Sequence, residues 1–246
     1  MCESSSELPR PFGLSFFRGN AAMAVDRLRQ RGGLLVAPSG PGLAEVDRFP
    51  LYAEALRDAD LVLIDSGALV LGWALMTGEW LPRLSGYAFF DHLIASKGID
   101  WAGDSLWVLP SVAEANRWRA YMQAHGQPLP DEAIYIAPMY EDGEAWDPIL
   151  LERLRQRPVH WVLIQVGGGV QEPLGAWLKS NLEGPHAIVC TGAAMAFVTG
   201  SQVRIPWWAD RMFLGWLLRI FSHPRIYGRR YIRAFRLFAQ MLRTCV

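Results

Sequence analysis

Cysteine is nearly absent from this chain of 246 residues, which holds three: Cys2, Cys190 and Cys245. So few, odd in number and widely spaced, they exclude a disulfide framework or a zinc knuckle and fit a reducing compartment. Cys190 ends an apolar run and reads as a small core residue. Histidine is sparse too: the five are scattered, with no helical i, i+4 pair and no carboxylate at ligand spacing, so no bound metal is indicated. No apolar run reaches the roughly 18 residues of a membrane span; the nearest approach, 212–221, is cut by Arg219. The opening Met1-Cys2-Glu3-Ser4-Ser5-Ser6-Glu7 has no basic region followed by an apolar one, and reads as a frayed leader, not a secretory signal. A P-loop, a G-x-S-x-G elbow, an internal repeat and a low-complexity linker are all missing.

Net charge is zero as well, and its distribution is the most informative feature of the chain. Residues 202–246 hold nine arginines, nine aromatics, no lysine and one acid, Asp210, so the compensating negative charge lies upstream. Arg225, Arg229, Arg233, Arg236 and Arg243 recur at helical spacing, with Tyr231, Phe235, Phe238 and Leu242 roughly opposite. A helix lying on an anionic surface has this layout, and so does a solvated basic face on a core helix. Arginine suits phosphate because its planar fork binds two oxygens at once and stays charged. The eleven tryptophans exceed what a core requires and point to interfacial surface.

At 51% hydrophobic and 20% charged, the chain is globular and long enough for one large α/β domain with an appendage. Short apolar runs at 33–36, 61–64, 106–109, 134–137, 161–166 and 187–190 read as buried strands of a mostly parallel sheet. Helical spacing over 43–57, 87–96, 112–125, 146–156 and 173–182 alternates with them, which implies a Rossmann-like sheet with helices on both faces. The expected organisation is a leader and first helix at 1–29, the sheet domain at 30–200 and a helical appendage at 201–246.

Ligands of open parallel sheets bind at the carboxyl ends of strands. Asp65 follows 61–64 directly, and serves there either as a catalytic carboxylate or as the N-cap of a helix starting near Gly67. Gly167-Gly168-Gly169 follows 161–166, with Gln171-Glu172 opening the next helix. A plain turn and a phosphate-approaching loop both fit, although the dinucleotide fingerprint G-x-G-x-x-G does not. Asp58-Ala59-Asp60 has the form of a D-x-D metal clamp but precedes its strand, where it marks a helix end.

These pieces fall in a recognisable order: Ala59-Asp60-Leu61-Val62-Leu63-Ile64-Asp65, Arg83-Leu84-Ser85-Gly86, Gly167-Gly168-Gly169-Val170-Gln171-Glu172, and Gly192-Ala193-Ala194-Met195-Ala196-Phe197-Val198-Thr199-Gly200. Arg204-Ile205-Pro206-Trp207, Leu214-Gly215-Trp216-Leu217-Leu218-Arg219 and Pro224-Arg225-Ile226-Tyr227-Gly228-Arg229-Arg230-Tyr231 follow. Over about residues 30 to 240 the chain resembles the WecG/TagA/CpsF bacterial glycosyltransferases, with the specific part lying between Gly192 and Tyr231.

The resemblance implies a metal-independent, inverting enzyme of the GT-E type, with a Rossmann-like sheet and a helical C-terminal appendage. Its donor would be a UDP-sugar and its acceptor a polyprenyl-diphosphate-linked saccharide, met at the inner face of the cytoplasmic membrane. No cofactor and no nucleic acid partner is implied, and a homo-oligomer is left open. Asp65 matches the general base. Ser39, Gly167, Gly169, Gln171, Glu172 and Gly192 fall to the nucleotide sugar, and Arg83, Ser85 and Gly86 to the acceptor pocket. Arg204, Arg219, Arg225, Arg229 and Arg230 fall to the diphosphate, while Arg233, Arg236, Arg243, Phe235 and Phe238 face the membrane. The chain departs from the family at Ala37-Pro38-Ser39 for T-x-N, Asp65-Ser66 for D-G and Gly86-Tyr87-Ala88 for G-x-D. It also lacks the P-K before Q-E, and has Met195-Ala196-Phe197 for F-D-F, Gly215 for a glutamate and Ile226 for an arginine. Two explanations fit these losses, a change in the sugars handled or a loss of activity; the retained Asp65 and arginines favour the first. Two other classes stay open at this point: a non-catalytic relative that binds nucleotide sugar or lipid diphosphate, and a basic module for membrane surfaces or nucleic acid.

Overall fold

Each of the six apolar runs becomes a strand. A computed structural model describes residues 11–140, 146–192, 194–200 and Leu237. The strands are β1 (Gly33–Val36), β2 (Leu61–Val62), β3 (Ser105–Leu109), β4 (Ile134–Ile136), β5 (Trp161–Ile164) and β6 (Ala187–Cys190). They form one sheet in the order β2-β1-β6-β5-β3-β4, and every pairing is parallel. Continuous apolar runs suit such a sheet because both of its faces are covered.

The helices are α1 (Ala21–Arg31), α2 (Gly40–Leu43), α3 (Pro50–Asp58), α4 (Gly67–Thr77), α5 (Gly86–Ala95), α6 (Val112–Ala124), α7 (Pro148–Gln156), α8 (Gln171–Asn181) and α9 (Ala194–Val198). Side chains of Ser39, Ser66, Ser85, Ser111 and Asp147 cap α2, α4, α5, α6 and α7, each accepting a backbone N–H of the first turn. The helix expected over 43–57 is broken into α2, a short 3-10 turn at Val46–Arg48, and α3. Pro50 has no N–H to donate and can only begin a helix, so the apolar period runs through a break it does not reveal.

Alternation along the strands divides the core in two. Leu34, Val36, Val162, Ile164 and Ile188 face one layer, built from α2, α3, α4, α7 and α8. Leu35, Trp107, Leu163 and Val189 face the other, built from α1, α5, α6 and α9. Among the described residues tryptophan is spent mainly here: Trp73, Trp101, Trp107, Trp118 and Trp161 are buried, and the Trp107 and Trp118 rings lie 4.7 Å apart. That corrects the expectation of interfacial use for these five; Trp80 and Trp146 are exposed. Helix α1 buries Ala24, Val25 and Leu28 in the second layer and packs on α5, which ties it to the sheet.

Candidate active site

The chain leaves β1 and β5 toward one layer and leaves β6, which lies between them, toward the other. Neighbouring exits that diverge in this way open a crevice at the carboxyl end of a parallel sheet. Asp65, Ser39, Gly192 and Gly167-Gly168-Gly169 follow β2, β1, β6 and β5, four adjacent strands, so most of the expected upstream residues come to the carboxyl end of the sheet.

Asp65 is half-buried there. It does not cap α4; Ser66 does, its Oγ accepting the Leu69 N–H at 3.2 Å, which overturns the capping alternative. The freed carboxylate turns instead to the next excursion of the chain. The Gly86 N–H, at the first residue of α5, donates to Asp65 Oδ1 at 2.9 Å, and Arg83 Nε donates to the Asp65 carbonyl at 3.1 Å. Oδ2 of Asp65 makes no hydrogen bond to the described residues. Arg83, Ser85 and Gly86 are thus gathered around Asp65 by the loop between α4 and α5. Ser85 is buried, and its Oγ accepts the Ala88 N–H at 3.1 Å.

Gly86 has a steric reason to be glycine. A Cβ there would lie 3.0 Å from the Ala37 methyl, 3.3 Å from the Thr191 carbonyl oxygen and 3.7 Å from Asp65 Oδ1. Three strand exits therefore meet at this one backbone atom. Gly40 is similarly close to Ser66, and the neighbouring Leu237, the one described residue of 201–246, is fully buried in the first core layer.

On the other side of the crevice, Gly167 and Gly169 take φ of 112° and 95°, in the region that favours glycine. Gln171 and Glu172 are buried and spend their polar atoms on the loops themselves. Gly169 N–H donates to Glu172 Oε2 at 2.7 Å, Gln171 Nε2 donates to Glu172 Oε1 at 3.1 Å, and Gly192 N–H donates to Gln171 Oε1 at 3.2 Å. The pair couples the glycine loop after β5 to the turn after β6. Burial pushes the Glu172 carboxyl up from the ordinary range, against the donors from Gly169, Gln171 and its own backbone that pull it down. Cys190 is buried below, its thiol pushed up by burial and by the Glu172 charge, and donates to the Gln171 carbonyl at 3.2 Å. Gln165 was not singled out from sequence: it is buried, and its Nε2 donates to Thr191 Oγ1 at 3.0 Å, joining β5 and β6 once more. Only long-range pairing distinguishes it from a strand residue.

Asp60 sits at the opposite, amino end of the strands, as its place before β2 requires. It accepts the Leu34 N–H at 2.7 Å and pairs with Lys179 at 2.6 Å. Arg204, Arg219, Arg225, Arg229, Arg230, Arg233, Arg236, Arg243, Phe235 and Phe238 lie outside the described residues.

An all-parallel α/β sheet with a glycine loop and a carboxylate facing one crevice defines a doubly wound protein whose ligand crevice lies at the carboxyl ends of its strands. The particular family follows from comparison: the model of the glycosyl transferase WecG/TagA/CpsF family matches residues 10–246, and the chain belongs to that family. It is a glycosyltransferase with a Rossmann-like α/β fold, of a family that works in cell-surface polysaccharide synthesis. A search of curated proteins gave no match. Among the described residues, no helix is long and apolar enough to cross a membrane.

Proposed function

We propose that the chain is an inverting, metal-independent transferase that moves a sugar from a UDP-sugar to a polyprenyl-diphosphate-linked saccharide at the inner membrane face. The observation that carries this reading is the setting of Asp65, held by one oxygen at the start of α5 while the other oxygen is unpaired among the described residues. Inversion at C1 needs a base for the acceptor hydroxyl proton as that oxygen attacks, and positive charge for the departing diphosphate. Asp65 takes the proton. Arg83, Ser85 and Gly86 shape the acceptor side of the crevice, and the Gly167-Gly168-Gly169 loop with Ser39 and Gly192 accepts the nucleotide half.

Gln171 and Glu172 act on the nucleotide through the backbone they brace, because their side chains are closed off by their own hydrogen bonds. Arg204, Arg219, Arg225, Arg229 and Arg230 neutralise the diphosphate, which makes a divalent ion unnecessary. Arg233, Arg236, Arg243, Phe235 and Phe238 hold the appendage at the bilayer, so that the lipid-linked acceptor is met as a positioned partner. A screen of UDP-sugars against short-chain polyprenyl-diphosphate acceptors in detergent tests the reading. Transfer with inverted anomeric configuration is expected. Binding of UDP-sugars without transfer to any acceptor in the screen would leave a non-catalytic relative as the better description.

A further inference from the structure

A second cavity, of about 420 Å³, lies at the amino ends of β1 and β6, the end of the strands away from Asp65. That volume is in the range of small-molecule sites, roughly 300–1,000 Å³. Its walls are fixed. Asp60 is tied to the Leu34 N–H and to Lys179, and Lys179 also donates to the Asp58 carbonyl at 2.8 Å. The His186 ring is clamped between the carbonyls of Val159 and Glu183, at 2.6 and 2.8 Å. Gly32 and Gly33 let these walls close up: a Cβ on Gly32 would come within 2.6 Å of the Pro185 carbonyl oxygen, and one on Gly33 within 2.8 Å of Asp60 Oδ2.

Arg27 and Arg31 also line the cavity, four residues apart on the last turns of α1. Both are exposed, and neither makes a hydrogen bond or ion pair with the described residues. The contrast with Arg29, between them in sequence, is informative: it is paired to Asp26 and to the Lys97 carbonyl and does not line the cavity. Two like charges at i, i+4 repel, so the pair costs the helix a little stability while unoccupied, although the C-terminal end of a helix offsets part of that. Asp60, the one acid in the lining, is already neutralised by Lys179, which leaves the cavity with the charge of two free guanidinium groups.

We propose that this cavity is a second anion site, which takes a phosphate or diphosphate group between Arg27 and Arg31. The planar fork of each guanidinium offers paired donors that match two oxygens of a phosphate. The site is independent of the transfer chemistry at the other end of the strands. Its phosphate comes either from a soluble ion or from a lipid headgroup, and both are tested with the full-length chain. Pyrophosphate titration by calorimetry is compared between the wild type and Arg27→Gln/Arg31→Gln, with vesicle flotation on phosphatidylglycerol and on phosphatidylcholine in parallel.

The double variant should lose one equivalent of pyrophosphate, or bind it at least tenfold more weakly, if the ion is soluble. If the phosphate is a headgroup, it should instead lose at least threefold in affinity for phosphatidylglycerol vesicles alone. Arg27→Lys/Arg31→Lys, which keeps charge without the fork, should fall between. Transfer activity under low-phosphate conditions should be unchanged in both, because neither arginine belongs to the catalytic crevice. Wild-type behaviour of Arg27→Gln/Arg31→Gln toward pyrophosphate and toward both vesicles, with circular dichroism showing intact folds, would overturn the proposal.

Discussion

Asp65 is the residue on which the proposed chemistry turns, and its geometry makes a clean substitution available. Asn at this position keeps an Oδ1 to accept the Gly86 N–H, so the start of α5 stays where it is while the base is lost. Asp65→Asn is expected to preserve melting temperature and UDP affinity and to lower turnover by roughly 10²-fold or more. Undiminished turnover would remove Asp65 from the mechanism. Glu172 offers a second test at the same scale, read from pH. Its folded pKa is raised above the ordinary value of 4.5, so the folded protein holds that proton more tightly than the unfolded chain. The associated stability is whole below the ordinary value and is lost as pH rises from there through the raised value. Denaturation midpoints taken upward from about pH 4 should show that loss in the wild type and not in Glu172→Gln. Glutamine also lacks the second acceptor that the Gly169 and Gln171 donors require, so at low pH the variant should be less stable by about 1–3 kcal/mol.

At the scale of elements, Gly86 is the joint between three strand exits, and a methyl there tests whether their spacing matters. Gly86→Ala places its Cβ against the Ala37 methyl and the Thr191 carbonyl, and relief requires α5 to back away from Asp65. Overpacking of this kind costs about 1–3 kcal/mol of stability, and turnover should fall about tenfold while UDP affinity holds; calorimetric melting and initial rates read the two effects separately. All six strands were legible as apolar runs, because a sheet covered on both faces leaves no polar alternation to confuse them. The breaks were not. The apolar period from Leu43 to Arg57 continues across the interruption before Pro50, since both pieces bury the same face in the same layer. Asp65 and the glycine loop were legible from their places after strands. The brace from Gln171 to Gly192 and the Gln165–Thr191 bond were not, because each joins residues that only the strand order brings together.

On the whole molecule, the zero net charge conceals a division between a sheet body and a segment of arginines and aromatics. If those arginines neutralise the leaving diphosphate, activity should survive EDTA; loss in EDTA that Mg²⁺ or Mn²⁺ restores would replace the arginines with a metal. The same segment is assigned two tasks, and the burial of Leu237 gives a third consequence that has to be separated from both. Leu237 is fully buried in the first core layer, so truncation after Gly200 removes core packing along with charge. Leu237→Ala measures that packing alone, and should cost about 2–5 kcal/mol in denaturant titration. Glutamates at Arg233, Arg236 and Arg243 measure membrane attraction alone. An anionic bilayer draws each nearby arginine by about 1 kcal/mol, so the triple variant should leave phosphatidylglycerol vesicles in a flotation assay yet transfer normally to a short-chain soluble acceptor. Loss of Arg219, Arg229 or Arg230 should do the reverse, lowering transfer to the soluble acceptor while vesicle binding holds. If the triple glutamate variant instead lost turnover on the soluble acceptor at unchanged melting temperature, membrane contact and catalysis would not divide along the chain as proposed, and Arg233, Arg236 and Arg243 would have to be moved to the diphosphate site.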